Sequence, residues 1–415
     1  MKNRRILLAV VAMFALCLPL SAQKKNDITM SVHTGKHRQE IILPQVMGYN
    51  LYKADLHTHT IYSDGNVTPS WRVREAWCDG LDIIAITDHI EYRRIERDLI
   101  KYMGEYIKEE YRNLPKGVNT NLQLTPADEH GILVNLNRAH EEALESNEQY
   151  GLLIIRGAEI TRGGEGHFNA IFTKDNNKIY HPDIKESIKN AVKQGAYVFH
   201  NHPKRDRETK TNMTPLAEGL HSEGLVKGIE IGNGHAFWGW LVPYGVKNNQ
   251  AFFSNSDAHS TIAERFYPSL NEGVYRNMTF ILAEECTEKA IKKAVFEGRT
   301  IAYHNNRLVG NEEILTELFK ASVSIEHMCD NKKETMVILT NKSSIPYSVK
   351  VGKKAEMIVH GMSAVQLALP LESSSADFTV TNLICGGNKR VKVTLPFKRK
   401  PTNQYLKENP TWYPR

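Results

Sequence analysis

The feature that most constrains the fold is a recurring pattern in which a short apolar run ends in a residue that can bind a metal ion. The run 81–87, for example, is rich in β-branched residues and leads directly into Asp88-His89. Runs of this length and composition are typical of strands buried in a parallel sheet. Similar runs occupy residues 51–57, 152–155, 196–199, 228–231, 250–254 and 278–282.

Helical segments lie between several of these runs. They occupy residues 69–78, 183–194 and 287–297. The first has Thr68 or Ser70 as its expected N-cap and Gly80 as its stop. Because strands alternate with helices, the sequence predicts an α/β fold with a parallel sheet or barrel. The charged segment 91–150 is interpreted as an insertion that forms two helices over one rim of the barrel.

The pattern changes near residue 321, where short strands separated by Asn, Gly, Ser and Pro turns replace the alternation. The predicted strands are 336–340, 347–351, 364–369, 378–381 and 391–395. This spacing predicts a small C-terminal all-β sandwich over residues 320–400, with no evident chemistry of its own. The preceding barrel is assigned to residues 49–312, and residues 23–48 form a polar lead segment.

Histidines and carboxylates are concentrated just beyond the predicted strands. His57 and His59 are two residues apart, so on a strand both side chains point to the same face, and Asp64 follows them. One such pair is weak evidence, because a lone histidine is more often a hydrogen-bonded residue. Together, however, the residues beyond the predicted strands that could bind a metal comprise six histidines and three carboxylates: His57, His59, His89, His167, His202, His259, Asp64, Glu159 and Asp257. Burying so many charged groups without a cation would be very costly. Since strand ends of a (β/α) barrel lie on one rim, the sequence predicts a metal site there.

Five segments resemble, in chain order, the motifs of the PHP (polymerase and histidinol phosphatase) family. They are Asp55-Leu-His57-Thr-His59-Thr-Ile-Tyr-Ser-Asp64-Gly, Gly80-Leu-Asp-Ile-Ile-Ala-Ile-Thr-Asp-His89, Gly157-Ala-Glu159-Ile, His202-Pro and Ser256-Asp257-Ala-His259. The resemblance spans roughly residues 49–303 and ends before the predicted sandwich. The chain is further similar to exported family members with a long insertion after the second motif and a β-rich tail, some of which resemble phosphodiesterases.

The resemblance implies a distorted (β/α)7 barrel of PHP type that holds two or three divalent metal ions. One ion would be held by His57, His59, Glu159 and Asp257, a second by Glu159, His167 and His202, and a third by Asp64, His89 and His259. Of these, Glu159, Asp257 and His259 are the expected catalytic residues. His200 remains an alternative to His202, although the His-Pro context favours His202. Nitrogen and oxygen ligands without sulfur suit Zn, Mn or Fe.

This ligand set predicts a hydrolase of phosphomonoesters or phosphodiesters. Two ions that share a carboxylate lower the pKa of a water between them, so that a metal-bridging hydroxide forms near neutral pH, and they polarise a phosphoryl oxygen. One alternative is an amidohydrolase-like hydrolase of carboxylic esters or amides that uses the same metals. Another is a non-catalytic surface-binding module, against which the complete ligand set speaks.

Candidates for contact with substrate lie close to the proposed ligands. The basic candidates for binding phosphate oxygens are Arg162, Lys204, Arg205 and Arg265. Glu230 lies in the run 228–231 and Asn233 and His235 follow it, where they would orient ligands or contact substrate. For each, a solvated surface charge is an equally good interpretation. Trp238 and Trp240 suit either stacking on a ring or packing in the core, and core packing is the default.

The first 22 residues are predicted to be a secretory signal peptide. Lys2, Arg4 and Arg5 precede an apolar run, 6–18, and Ala22 stands before the expected cut. That run is too short for a membrane span. Cleavage leaves 50 basic and 47 acidic residues, so the net charge falls from +6 to +3, which does not favour binding of duplex nucleic acid. We therefore expect an exported protein, periplasmic or extracellular, that acts on a small phosphorylated substrate.

The cysteines do not predict a metal site. Four remain after cleavage and none forms a CxxC pair, so a cysteine zinc site is not expected. Export permits disulfides, and Cys329 and Cys385 lie where a bridge could join two sheets. Two small buried thiols are an equally good interpretation.

Overall fold

The computed structural model describes residues 37–91, 135–162, 166–203, 213–264, 266 and 274–400, except the side chain of Arg162. Several predictions lie outside the described residues. They are the signal peptide 1–22, the lead segment as far as residue 36, residues 92–134 of the insertion, and the side chains of Arg162, Lys204, Arg205 and Arg265.

The N-terminal part of the chain alternates strands with helices, which confirms the predicted α/β character. Its strands are β1 (Asn50–Asp55), β2 (Ile83–Ile86), β3 (Leu153–Arg162), β4 (Gly166–Ile171), β5 (Tyr197–His200), β6 (Gly228–Asn233), β7 (Ala236–Phe237), β8 (Ala251–Asn255), β9 (Met278–Ala283), β10 (Thr300–His304) and β11 (Arg307–Gly310). Its helices are α1 (Pro69–Cys78), α2 (Arg138–Ser146), α3 (Ile184–Lys193), α4 (Pro215–Ser222), α5 (Val242–Lys247), α6 (Glu288–Phe296) and α7 (Glu312–Ser322).

Side-chain caps account for where the predicted helices begin. The Thr68 hydroxyl accepts a hydrogen bond from Trp71 N, so Thr68 rather than Ser70 caps α1. Asp183 and Thr287 cap α3 and α6 in the same way. Each cap satisfies a backbone N–H that has no partner inside the helix.

The sheet is mixed rather than wholly parallel, which corrects one expectation. β1, β2 and β3 are parallel, and so are β5, β6 and β8. β4, which the sequence did not reveal, pairs antiparallel with both β3 and β5, and β9 pairs antiparallel with β1. Within the described residues, the segments after β1 and β8 meet through one isolated parallel bridge, between Thr58 and Ala258. The seven-stranded barrel itself stays a prediction.

The region after α7 is all-β within the described residues. Its strands are β12 (Val323–Asp330), β13 (Glu334–Asn341), β14 (Tyr347–Val351), β15 (Met357–Val359), β16 (Ser363–Pro370), β17 (Ser375–Ile384) and β18 (Arg390–Pro396). The five predicted strands are confirmed, while β12 and β15 were missed. β12, β13 and β16 form one sheet; β14, β15, β17 and β18 continue the N-terminal sheet, because β17 pairs with β11.

One apolar core runs across this junction. It includes Phe280 of β9, Leu339 of β13 and Phe378 of β17. Cys329 and Cys385 are buried free thiols in two different apolar clusters. The structure therefore agrees with the interpretation as two buried thiols and not with the disulfide.

The last residues of the lead segment connect the two parts of the chain. Gln39 N donates to Cys78 O at the end of α1, and the backbone of Ile42 exchanges hydrogen bonds with Ser344. Ile41 and Val46 are buried in the shared core. Residues 39–46 therefore pack as part of the fold. None of the helices in the described part of the chain is long and apolar enough to cross a bilayer.

Candidate metal centre

The structure brings the nine predicted metal ligands together at one end of the sheet. His57, His59 and Asp64 follow β1, His89 follows β2, Glu159 lies in β3, His167 in β4, His202 follows β5, and Asp257 and His259 follow β8. Their side-chain nitrogen and oxygen atoms form three groups, in each of which the atoms lie within 4.8 Å of one another.

The first group is completely enclosed and contains His57, His59, Glu159 and Asp257. Both histidine Nε2 atoms lie 3.0–3.1 Å from Glu159 Oε2 and 3.2 Å from Asp257 Oδ1. None of the four residues is more than 5% exposed. Donor atoms at this spacing leave room for an ion about 2 Å from each, the usual length of zinc bonds to nitrogen and oxygen.

The second group shares Glu159 with the first. Glu159 Oε1 lies 2.8 Å from His167 Nδ1 and 3.5 Å from His202 Nε2, while its Oε2 faces the first group. Its two oxygens are thus divided between two sets of ligands, as a bridging carboxylate requires. His200 belongs to none of the three groups, because its ring stacks on Phe168 at 4.9 Å.

The third group lies at the open side of the centre. Asp64 Oδ2 is 3.2 Å from His259 Nε2 and 3.6 Å from His89 Nε2. Asp64 Oδ1 is 3.5 Å from His59 Nδ1, so His59 borders this group as well as the first. The side chains of Asp64 and His259 are 35% and 26% exposed, whereas the other two groups are buried. Solvent therefore reaches the centre through the third group.

The electrostatics of the enclosed groups favour a cation. Burial lowers the pKa of His57, but the negative charges of Asp257 and Glu230 outweigh it and raise that pKa well above its ordinary value. Burial acts in the same direction on His59, but hydrogen bonds from its ring to the carboxylates of Asp257 and Glu159 outweigh it and raise its pKa to about 10. Burial lowers the pKa of His89 to about 4, which keeps it neutral, as a metal ligand must be.

Two close contacts also fit metal binding. His57 Nε2 and His59 Nε2 are 3.1 Å apart, so both cannot carry a proton that points along this line. His202 Nε2 is buried, and among the described residues it has no hydrogen-bond partner. A buried nitrogen without a partner is costly unless something else occupies its lone pair. Unprotonated imidazoles and carboxylates without sulfur suit Zn, Mn or Fe.

Glu230 determines which nitrogen of His57 faces the first group. It is buried, and it accepts four hydrogen bonds: from His57 Nδ1 and Asn255 Nδ2 on Oε1, and from His202 N and Asn233 Nδ2 on Oε2. Since Nδ1 of His57 donates to Glu230, Nε2 is the nitrogen that faces the first group. A carboxylate behind a ligand histidine orients the ring in this way. Glu230 is thus placed to orient His57 and His202, and Asn233 donates to Glu230, so the orienting role considered from the sequence fits these contacts but stays a prediction.

Two of the ligands lie on strained backbone. Asp257 has a φ of 49° and His202 a φ of 23°, in the left-handed region that non-glycine residues rarely adopt. Asp257 N donates to His57 O, and His202 N donates to Glu230, so hydrogen bonds hold both residues in place. Such conformations persist where the surroundings over-determine them, as at functional sites.

Gly65 allows the loop that carries Asp64 to fold back. A Cβ atom added at Gly65 would lie 2.7 Å from Thr60 N, closer than real Cβ atoms approach backbone. Asp88, which the sequence placed among ligand-type residues, supports this loop instead. Its carboxylate accepts hydrogen bonds from Thr60 N, Thr60 Oγ1 and Ser63 Oγ.

Sequence reasoning missed a buried ion pair below the centre. Asp55 accepts hydrogen bonds from Ser256 N and Oγ and pairs with Arg276, which also binds Asp79 at 2.8 Å. Asp55 precedes His57 by two residues, and Ser256 precedes Asp257. The network therefore ties together the starts of two ligand segments. The sequence signal for this network was that Asp55 and Ser256 lie within the first and the last of the five segments that resemble the PHP motifs.

The candidate substrate residues are only partly described. His235 is exposed, and its ring centroid lies 5.6 Å from that of Phe266. Trp238 and Trp240 are partly buried and pack against the apolar core near β6, which agrees with the interpretation that they pack in the core. The roles of His235 and the four basic residues stay predictions.

Comparison with known proteins places these features in context. The PHP domain family matches residues 55–235. A solved two-domain protein from Bacteroides vulgatus, described as containing a predicted PHP-like metal-dependent phosphoesterase, is 30% identical; the match covers 87% of this chain and 99% of that protein, with a TM-score of 0.72.

More distant structures contribute little. An amidohydrolase from Chromobacterium violaceum is 12% identical over 53% of this chain and 96% of its own, with a TM-score of 0.35. A lesion-specific endonuclease from Pyrococcus furiosus is 16% identical over 75% of this chain and 70% of its own, with a TM-score of 0.36. Such low scores do not bear on fold or activity. Among curated proteins, none matches the sequence significantly.

Proposed function

The chain belongs to the PHP domain family, and from this premise we propose that it hydrolyses phosphoester bonds with divalent metal ions. The observation that carries the proposal is the division of the Glu159 oxygens between two buried sets of nitrogen and oxygen donors. Two neighbouring ions that share a carboxylate are typical of enzymes that displace a group at phosphorus. The substrate is proposed to be a small phosphomonoester or phosphodiester.

Each group of ligands has a proposed role in holding an ion. The first and second groups would hold a pair bridged by Glu159, and Asp64, His89 and His259 would hold a third ion beside His59. When bound, such ions supply Lewis acidity toward a phosphoryl oxygen and lower the pKa of water toward neutrality. Zn, Mn or Fe would fit the donor set.

The protein's own residues orient and shield this centre. Glu230 keeps the His57 proton on Nδ1, so that Nε2 is available to an ion. His259 Nδ1 donates to Asp257 O at 2.9 Å, so Nε2, which faces Asp64, is the nitrogen that could bind an ion. Because only the third group is open to solvent, a substrate would approach over Asp64 and His259.

We further propose that the protein acts outside the cytoplasm, in the periplasm or the extracellular space. The proposal rests on the basic and apolar character of residues 1–22, which lie outside the described residues. The near-neutral charge after cleavage and the enclosed centre favour a small substrate over duplex nucleic acid. Arg162, Lys204, Arg205, His235 and Arg265 are the proposed contacts to phosphate.

A substrate panel tests the proposed reaction. Purified protein would be assayed with nitrophenyl phosphomonoesters, nitrophenyl phosphodiesters and nitrophenyl acetate, before and after treatment with a chelator. We expect turnover of a phosphoester that the chelator abolishes and that added Zn, Mn or Fe restores. Hydrolysis of the acetate alone would instead support the amidohydrolase-like alternative. Phosphoester turnover that survives complete metal removal would overturn the metal-dependent mechanism.

A further inference from the structure

Four of the nine ligands lie on two segments that meet without a regular strand pairing. The seam is defined here as residues 57–60, after β1, together with residues 256–260, after β8. Across it, Asp257 N donates to His57 O at 2.9 Å, and His59 N donates to Ala258 O at 3.1 Å. An isolated bridge of this kind has few backbone bonds to fix the spacing of the side chains it carries.

A buried arginine lies against the seam. Arg72 belongs to α1 and is 1% exposed. Its Nη2 donates to the carbonyl oxygens of His59, Ala258 and Ser260, each at 3.0 Å, and its Nε donates to His59 O at 3.3 Å. One guanidinium therefore binds backbone on both sides of the seam.

Glu75 completes this attachment. Its Oε2 pairs with Arg72 Nη1 at 2.8 Å, and its Oε1 accepts a hydrogen bond from Ile262 N at 2.9 Å. The pair neutralises the buried charge and adds a further contact to the segment after β8. A planar guanidinium offers several donors in fixed directions, which the single ammonium of lysine does not.

We propose that Arg72 is a positioning residue that sets the spacing of the metal ligands across the seam. The proposal rests on the proposed metal-dependent function. The first group takes His57 and His59 from one side and Asp257 from the other, and the third group includes His259. Loss of Arg72 would therefore weaken the first and third groups.

The second group is expected to be much less affected. His167 lies in β4 and His202 follows β5, and both of these ligands are outside the seam. Their positions depend on β3–β4 pairing and on Glu230 rather than on Arg72. A purely structural role for Arg72 would instead lower the stability of the whole protein and weaken all three groups together.

The experiment is a cobalt titration of chelator-treated protein, with wild type compared with Arg72→Lys and Arg72→Met. Visible absorption reports the geometry of bound Co²⁺, and elemental analysis gives the number of ions. We expect one ion to bind the variants with wild-type affinity and the remaining ions to bind about 10- to 100-fold more weakly, as after loss of supporting contacts to ligands. The double variant Arg72→Lys/His202→Ala should also lose the ion that still binds tightly to Arg72→Lys, because His202 belongs to the second group.

Arg299→Met is the matched control. Arg299 also donates to a backbone carbonyl, that of Leu282, and pairs with Glu297, but it contacts no residue of the seam. We expect this variant to bind cobalt as wild type does. Thermal unfolding of all variants gives the loss of stability, and Arg72→Lys decides the outcome where Arg72→Met does not fold.

Two results would overturn the proposal. In the first, Arg72→Lys binds as many ions as wild type with the same affinities and spectrum. In the second, all ions weaken equally, in proportion to the loss of stability. Failure of the proposed function would look different, because wild-type protein would then bind no cobalt, or would bind it without hydrolysing a phosphoester.

Discussion

The two parts of this chain bury different kinds of side chain. In the N-terminal part, β6 and β8 are buried along their whole length, and charged or polar residues at the strand ends are buried with them. In the C-terminal part, β13 alternates between buried and partly buried residues, as in a sheet with one face near solvent. The difference shows that the N-terminal part buries a cluster of charged side chains, whereas the C-terminal part buries mainly apolar side chains.

Polar groups buried in the C-terminal part serve local structure instead. Asn341 Nδ2 donates to the carbonyl oxygens of Ile345 and His360. His327, 1% exposed, pairs with Asp330 and accepts a hydrogen bond from Lys400 N. No metal-binding group of histidines and carboxylates was found among the described residues of this region. Burial alone therefore does not identify a histidine as a metal ligand, since the predicted ligands are those that lie together with other histidines and carboxylates in one group.

The strongest test of this contrast replaces one buried histidine in each part. His57→Ala removes a predicted ligand of the first group and one of the four hydrogen-bond partners of Glu230. It should lower metal affinity and hydrolysis by more than about 100-fold, because even supporting residues cost 10- to 100-fold. His327→Ala should leave both unchanged and lower the free energy of unfolding by about 1–3 kcal/mol, since it removes the hydrogen bonds that His327 makes with Asp330 and with Lys400 N. Metal content, activity and urea unfolding measure these effects; equal losses of metal in both variants would break the contrast.

A second test removes an aromatic side chain from the C-terminal core. Phe378 is 2% exposed and packs against Phe319, with the ring centroids 5.9 Å apart. Phe378→Ala should lower the free energy of unfolding by about 3–5 kcal/mol, through lost contacts and the cavity that remains. The folded variant should keep its metal affinity. Loss of metal under conditions where circular dichroism shows an intact fold would mean that the shared core controls the centre.

A third test changes one buried carboxylate by a single atom. All four groups that contact Glu230 are donors, so a glutamine amide nitrogen would face either His57 and Asn255 or His202 and Asn233. Glu230→Gln should therefore weaken metal binding by about 10- to 100-fold. The control is Glu326→Gln, at an exposed position of β12, which should change nothing. Titration with Zn²⁺ measures both; wild-type affinity in Glu230→Gln would refute the orienting role.

The smallest effect is expected at the open side of the centre. Asp64 is partly exposed, and charges near solvent are screened more than buried ones. Asp64→Asn keeps one side-chain oxygen, the amide carbonyl, but loses the negative charge. It should lower the affinity for the third ion only, by less than about tenfold, because an interaction near the surface contributes about 1 kcal/mol. The number of bound ions at low and high metal concentration measures this. Loss of all ions in Asp64→Asn would show that the three groups bind as one unit.

Much of the site was predictable because its residues stand in short local patterns. The pair His57 and His59, and the pair Asp257 and His259, each follow a short apolar strand, so local sequence predicts both the strand and the position of the ligands. His202 was favoured over His200 by its His-Pro context, and the structure places His202 beside Glu159. The ligand roles themselves stay predictions until metal binding is measured.

Other features had no local signal. Glu159 lies inside β3 rather than beyond its end, because β3 continues into a hairpin with β4 that brings His167 back beside it. The segment that forms β4 carries glycine, histidine and asparagine and lacks the apolar pattern of its neighbours. Arg72 resembles any charged helix residue in the sequence, and only the packing of α1 beneath the seam buries it.

The amino-acid sequence by itself determined the strand–helix alternation and the set of residues able to bind metal, because these depend on residue types and on contacts between near neighbours in the chain. Tertiary structure alone decided how the set divides into three groups, which oxygen of Glu159 faces the first group and which faces the second, and which ring nitrogen of His57 donates to Glu230. These properties depend on contacts such as those of His57, whose partners are 102 to 200 residues away in sequence yet 3.1–3.2 Å away in space. Local patterns cannot encode such distances, whereas a close-packed interior fixes them.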